Sequence, residues 1–216
     1  MNYKLAVFDM DGTILDTLED LTDSVNYVMR KHHYPTHSIE AVRGFVGNGI
    51  RLLIERAVPQ GTPVEQLDVA YHDFMEYYKE HCTDKTRPYN GMVELLKTLR
   101  AAGCRTAVVS NKADAAVQDL CVQYFDGLFD FAIGERPGMA KKPAPDSVYE
   151  VLKQLGIAGT EAVYIGDSDV DYDTAKNSGL DCISVTWGFR DEEFLRSYGA
   201  KTIASTMEEV AAQILG

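Results

Sequence analysis

Two hydrophobic periodicities divide this chain of 216 residues. From residue 16 to about 85 the spacing is helical. Leu18, Leu21, Val25, Val28 and Met29 share one face of a first helix, which Pro35 stops because it has no N–H to continue the ladder. Ser38 offers an N-cap hydroxyl to a second helix, and 50–55 and 67–78 continue the pattern. Tyr71, Phe74, Met75 and Tyr78 fall at i, i+3, i+4 and i+7, a stripe that reads as packing. This block of about four helices contains no strand pattern.

Elsewhere short continuous apolar runs replace the stripe. They predict strands at 4–8, 105–109, 129–133, 162–166 and 181–185, with a short one near 201–204. Helical segments at 91–102, 113–123, 146–155 and 171–178 lie between them. Such alternation predicts an α/β fold, a Rossmann-like parallel sheet with helices on both faces. The all-helical block is then an insertion after the first strand. The expected domains are a core of 1–15 and 86–216 and a helical cap of 16–85, with crossings near 15–17 and 84–88. No repeat or low-complexity tract interrupts this plan.

Three of the predicted strands run into polar groups. Leu5-Ala6-Val7-Phe8 leads into Asp9-Met10-Asp11-Gly12-Thr13. Residues i and i+2 leave an extended backbone on one side, so Asp9 and Asp11 are held close at a strand mouth before a glycine turn. Like charges that close resist joint ionisation unless a cation or proton intervenes. Thr106-Ala107-Val108-Val109 ends in Ser110-Asn111-Lys112, and Ala162-Val163-Tyr164-Ile165-Gly166 ends in Asp167-Ser168-Asp169-Val170-Asp171. Lys141 and Lys142 precede a proline-stiffened turn. In parallel α/β sheets ligands bind outside the carboxyl ends of the strands, where these groups would meet.

This four-part order resembles the haloacid dehalogenase superfamily of phosphohydrolases over nearly the whole chain. Within it the chain looks most like the phosphoglycolate phosphatase group, through Asp9 to Thr17, Val42-Arg43-Gly44-Phe45-Val46-Gly47-Asn48-Gly49, and Val185-Thr186-Trp187-Gly188-Phe189. The resemblance implies a Mg2+-dependent phosphomonoesterase acting on a small phosphorylated metabolite. Asp9 is the nucleophile, forming an aspartyl-phosphate. Asp11 is the general acid and then the base; a halide leaving group needs no such proton, so its presence favours phosphate esters. Lys142, directly before proline, neutralises charge. Asp9, the Asp11 carbonyl and Asp167 hold Mg2+, a cation that takes hard oxygen ligands, and Asp171 orients a bound water or Lys142. Gly12, Thr13, Ser110 and Asn111 bind the phosphoryl group. Arg43 and Asn48 read the leaving group from the cap.

Other readings of the same residues are a sugar-phosphate mutase, a pyrophosphatase, a nucleotidase, or a phospho-accepting signalling module. A mutase of this type would carry a His and an Ala-Trp soon after the first motif, and Glu19-Asp20-Leu21-Thr22-Asp23-Ser24 has neither. The signalling module would need an Asp where Ser110 ends its strand, and leaves the helical insertion unexplained. Asp169 and Asp173 are expected in solvent, His32, His33 and His37 in a solvated loop, and Trp187 in packing.

Composition narrows the partners. A net charge of -12 disfavours nucleic acid, which rewards basic patches, while one Mg2+ and a few lysines can make a local positive site. Cys82, Cys104, Cys121 and Cys182 form no Cys-x-x-Cys pair and no zinc spacing. With about four apolar residues before Asp9, no signal-peptide core is expected, nor any span of a bilayer. A reduced cytoplasmic setting is the expectation.

Overall fold

The computed structural model describes residues 1–47 and 49–216. It divides into two compact units, Met1–Leu15 with Pro88–Gly216, and Asp16–Arg87.

The first unit is an α/β fold around a six-stranded parallel sheet. Its strands are β1 (Leu5–Phe8), β4 (Arg105–Ala113), β5 (Phe131–Glu135), β6 (Ala162–Gly166), β7 (Asp181–Val185) and β8 (Ile203–Ala204), in the order β5-β4-β1-β6-β7-β8. The two-residue strands β2 (Leu15–Asp16) and β3 (Arg87–Pro88) pair with each other where the chain passes between units. Strand alternation sends side chains to opposite faces. Ala6, Phe8, Val108, Val163 and Ile165 join a core with α5 (Met92–Ala101), α6 (Asp114–Phe125) and α10 (Met207–Leu215). Leu5, Val7, Ala107, Val109 and Tyr164 join a second core with α7 (Asp146–Leu155) and α8 (Asp169–Ser178). Being covered on both faces is why these strands read as unbroken apolar runs.

Register brings the polar ends together. Phe8 is opposite Val108 on one side and Ile165 on the other, and Asp9 N–H donates to the Ile165 carbonyl at 2.9 Å. Asp9 and Asp167, each directly after its strand, and Ser110, late in β4, therefore lie toward the carboxyl ends of neighbouring strands, a consequence of pairing between segments a hundred or more residues apart.

Several boundaries differ from expectation. Helix α8 starts at Asp169 rather than 171, because Ser168 and Asp171 form a capping box that satisfies the first-turn N–H groups. Strand β4 continues to Ala113 through a register shift after Val109. Helices α9 (Glu192–Tyr198) and α10 were not predicted. Their N-caps, Asp191 on Phe194 N–H and Thr206 on Glu209 N–H, are legible signals that the apolar pattern obscured. The strands β2 and β3 are too short to carry a period.

The second unit holds α1 (Leu18–Lys31), α2 (Ile39–Phe45), α3 (Ile50–Ala57) and α4 (Val64–His81). Val25, Val28, Met29, Ile54 and Phe74 are fully buried in it. The stripe on α4 is turned from its expected setting. Phe74 and Tyr78 are buried but Met75 is exposed, and Tyr77 stacks on Tyr27 with centroids 3.9 Å apart. The buried Asp20 carboxylate accepts the N–H groups of Lys85 and Thr86, at 3.0 and 2.8 Å, so α1 is fastened to the returning chain. His32 lies 2.7 Å from Asp73, and His37 2.7 Å from the Ala57 carbonyl, so these two rings are bonded rather than loose in a loop. No helix among the described residues is long and apolar enough to cross a membrane.

Candidate active site

Asp9 follows β1 and is 7% exposed. The Lys142 ammonium donates to Asp9 Oδ1 at 2.6 Å, to Asp171 Oδ1 at 2.8 Å and to the Tyr164 hydroxyl at 3.0 Å. An ammonium has three N–H donors, and all three are used. Tyr164 comes from the middle of β6 and donates in turn to Asp171 Oδ1. Sequence reasoning missed Tyr164 because it is an aromatic inside an apolar run, where only the tertiary structure reveals a buried hydroxyl. Lys141, by contrast, pairs with Glu135 at 2.8 Å and is exposed.

Asp167 is 1% exposed. Its Oδ2 accepts the Phe189 N–H at 2.6 Å and its Oδ1 the Thr13 hydroxyl at 3.1 Å. Backbone closes tightly around it. A side chain at Gly12 would meet Asp167 Oδ2 at 2.6 Å and the Phe189 ring at 2.7 Å, and Gly12 has φ +89°, a region that favours glycine. A Cβ at Gly188 would also run into Asp167. The Gly12 N–H is committed to the Leu15 carbonyl, and the Thr13 hydroxyl to Asp167. Both residues, expected on the phosphoryl group, also build the turn and steady its carboxylate. Trp187 does more than pack, since its indole N–H donates to the Thr13 carbonyl at 3.0 Å.

Oxygens of Asp9, Asp167 and Asp171 lie within 4.8 Å of one another. Burial raises the Asp9 carboxyl well above its ordinary value, reinforced by Asp171 and Asp167 and opposed by Lys142. Burial and Asp171 push Asp167 up to about 7. Burial works against the Lys142 charge, but Asp171 and Asp9 outweigh it and hold its pKa well above the ordinary lysine value. One ammonium among three buried carboxylates leaves excess negative charge that invites a cation. Hard carboxylate oxygens suit Mg2+, so the donor set fits that ion. Asp171 is already engaged by Lys142 and Tyr164 on one oxygen and by Ser168 on the other. Asp9 and Asp167 are the better placed pair.

The remaining expected residues separate by position. Asp11 stands apart from the cluster and its Oδ1 accepts from Lys112 Nζ at 2.9 Å. Ser110 Oγ accepts the Lys112 N–H at 3.1 Å. The Asn111 side chain makes a two-way pair with the backbone of Lys142, accepting at 2.9 Å and donating at 3.1 Å. It therefore holds the lysine loop in register, and the Lys142–Pro143 bond within that loop is cis. Asp169 and Asp173 are half-buried and partnered, Asp169 with Arg190 at 3.4 Å and Asp173 with the Tyr198 hydroxyl at 2.7 Å, instead of lying in solvent. Arg43 lies on α2 in the helical unit. Asn48 lies outside the described residues.

A doubly covered parallel sheet with buried carboxylates and a saturated lysine at its strand ends has the make-up of an α/β enzyme core. Residues 6–185 match the model of the haloacid dehalogenase-like hydrolases. The phosphoglycolate phosphatase of Mesorhizobium japonicum is 31% identical over 99% of this chain and 96% of its own. That of Colwellia psychrerythraea is 30% identical over 96% and 95%. A solved structure from Lactobacillus delbrueckii subsp. bulgaricus is 40% identical, covers all of both chains and superposes with a TM-score of 0.96. The chain belongs to the haloacid dehalogenase-like hydrolase family.

Proposed function

We propose that this protein is a Mg2+-dependent phosphomonoesterase of the phosphoglycolate phosphatase type, acting on a small phosphorylated metabolite. The observation that carries the reading is Asp9, buried at a strand end, held at 2.6 Å by Lys142, with a second carboxylate two residues on that stands outside the buried cluster. An oxygen of Asp9 attacks phosphorus and the ester oxygen leaves, taking its proton from Asp11. Water then attacks the phosphorus of the aspartyl-phosphate, giving its proton to the Asp11 carboxylate, and inorganic phosphate departs. Lys142 keeps Asp9 oriented and offsets the charge brought by the phosphoryl group. Asp9, Asp167 and the Asp11 carbonyl would hold Mg2+, which supplies charge stabilisation to the phosphoryl oxygens. Ser110 is a candidate partner for those oxygens.

The relatives named phosphoglycolate phosphatase support the substrate class. We infer further that the helical unit is the cap and that Arg43 and Asn48 select among leaving groups, with the chemistry confined to the other unit. We propose a cytoplasmic setting, in which cysteines that form no Cys-x-x-Cys pair need make no disulfide.

A phosphatase panel with Mg2+ tests this reading, using 2-phosphoglycolate, pyrophosphate, sugar phosphates and nucleotides. Preferred hydrolysis of 2-phosphoglycolate, loss on chelation, return with Mg2+ but poorly with Ca2+, and no phospho-enzyme in Asp9→Asn are expected. Full turnover after exhaustive chelation would refute it.

A further inference from the structure

Lys112 has no part in the chemistry described so far. Its ammonium lies 2.9 Å from Asp11 Oδ1, and the two side chains are 9% and 21% exposed. The pair therefore sits at the rim of the site, shielded but reachable. It is held there by backbone. Lys112 N–H donates to Ser110 Oγ at 3.1 Å, and its carbonyl packs against Gly134 where a Cβ would intrude.

Two facts give this cation a task. Lys142 has spent its three N–H groups on Asp9, Asp171 and Tyr164, so it is not placed to recognise a second anion on the substrate. Lys112, on the other hand, touches the carboxylate assigned to the leaving group. A general acid works within about 2.6–3.2 Å of the oxygen it protonates. The ammonium is then at most about 8 Å from the ester oxygen by way of Asp11, on the side where the alcohol departs. A lysine ammonium has donors for more than one anion at a time.

We infer that Lys112 is a specificity-determining residue that pairs with a carboxylate carried by the leaving alcohol, one carbon from the ester oxygen. The preferred substrates are then short phosphate monoesters of hydroxy acids. This rests on the phosphatase reading above and locates one charge filter in the α/β unit itself, beside the acid. A neutral leaving alcohol would lack this contact and be favoured less.

The test compares kcat/KM for 2-phosphoglycolate and 2-hydroxyethyl phosphate, a neutral counterpart of similar size, at saturating Mg2+. Wild type, Lys112→Met, Lys112→Gln and Lys112→Arg are measured, each checked for an intact melting transition. A loss common to both esters reports the contact with Asp11; the ratio reports the carboxylate. The ratio should fall roughly 10- to 100-fold in Lys112→Met or Lys112→Gln, as expected for a lost charge-assisted contact, mainly through KM. Lys112→Arg should restore most of it. If wild type hydrolyses both esters and the ratio is unchanged in the folded variants, the inference is overturned while the phosphatase reading stands. If wild type with Mg2+ hydrolyses no ester, both are overturned.

Discussion

Asp167→Asn should make the metal-free protein more stable, although it damages the site. Asp167 is buried, and its carboxyl is pushed from an ordinary 3.8 to about 7. A raised carboxyl means that the folded state binds a proton more tightly than the unfolded chain. The contribution of Asp167 to stability is therefore greatest at low pH, declines between about 4 and 7, and stays reduced above 7. At about 1.4 kcal/mol per pH unit, the full cost at pH 8 is on the order of 4 kcal/mol. Asparagine removes the charge and can keep both contacts. Its Oδ1 accepts the Phe189 N–H and its Nδ2 donates to the Thr13 hydroxyl, which can accept as well as donate. The fixed amide fits the two contacts less well than a protonated carboxyl, a loss of about 1–2 kcal/mol. A net gain of about 2–3 kcal/mol remains, or roughly 4–12 °C in Tm for a protein of this size. The assay is thermal unfolding in chelator at pH 8 and again at pH 5, where the gain should be clearly smaller. With Mg2+ the order should invert, because wild type gains binding free energy that the variant largely lacks. A variant no more stable than wild type in chelator at pH 8, or a gain identical at pH 5, would refute the crowded-carboxylate account.

Three further outcomes are expected. Asp11→Asn should lose about 10²–10⁴-fold in the first step for alkyl phosphates and much less for p-nitrophenyl phosphate, whose leaving group needs little protonation; burst kinetics measure this. Tyr164→Phe leaves one N–H of the buried Lys142 ammonium without its acceptor, which should lower stability by about 1–3 kcal/mol in denaturant titrations. Gly12→Ala forces a side chain to φ +89° and against Asp167, costing about 1–3 kcal/mol in strain alone, with weaker Mg2+ binding seen by calorimetry.

Local pattern determined much of this protein. The unbroken apolar runs at 5–8, 107–109 and 162–166 announced strands covered on both faces, and the helical spacing of 18–29 announced an inserted all-α block. Asp9, Asp11 and Asp167 were legible because carboxylates just after apolar runs stand out, and Lys142 because a lysine directly before a proline, in this order of motifs, resembles a known family. What adjoins what was decided only by tertiary structure. That Lys142 saturates itself on Asp9, Asp171 and Tyr164, that Asn111 grips the lysine loop, that Gly12 and Gly188 leave room for Asp167, and that Lys112 meets Asp11 all depend on strand order β4-β1-β6 and its register. Helical and strand periods report which face of an element is apolar, over a few residues at a time. The bonds from Lys142 to Asp9, Thr13 to Asp167 and Lys112 to Asp11 each join side chains more than a hundred residues apart, and they arise only when burial of both sheet faces selects one pairing of strands.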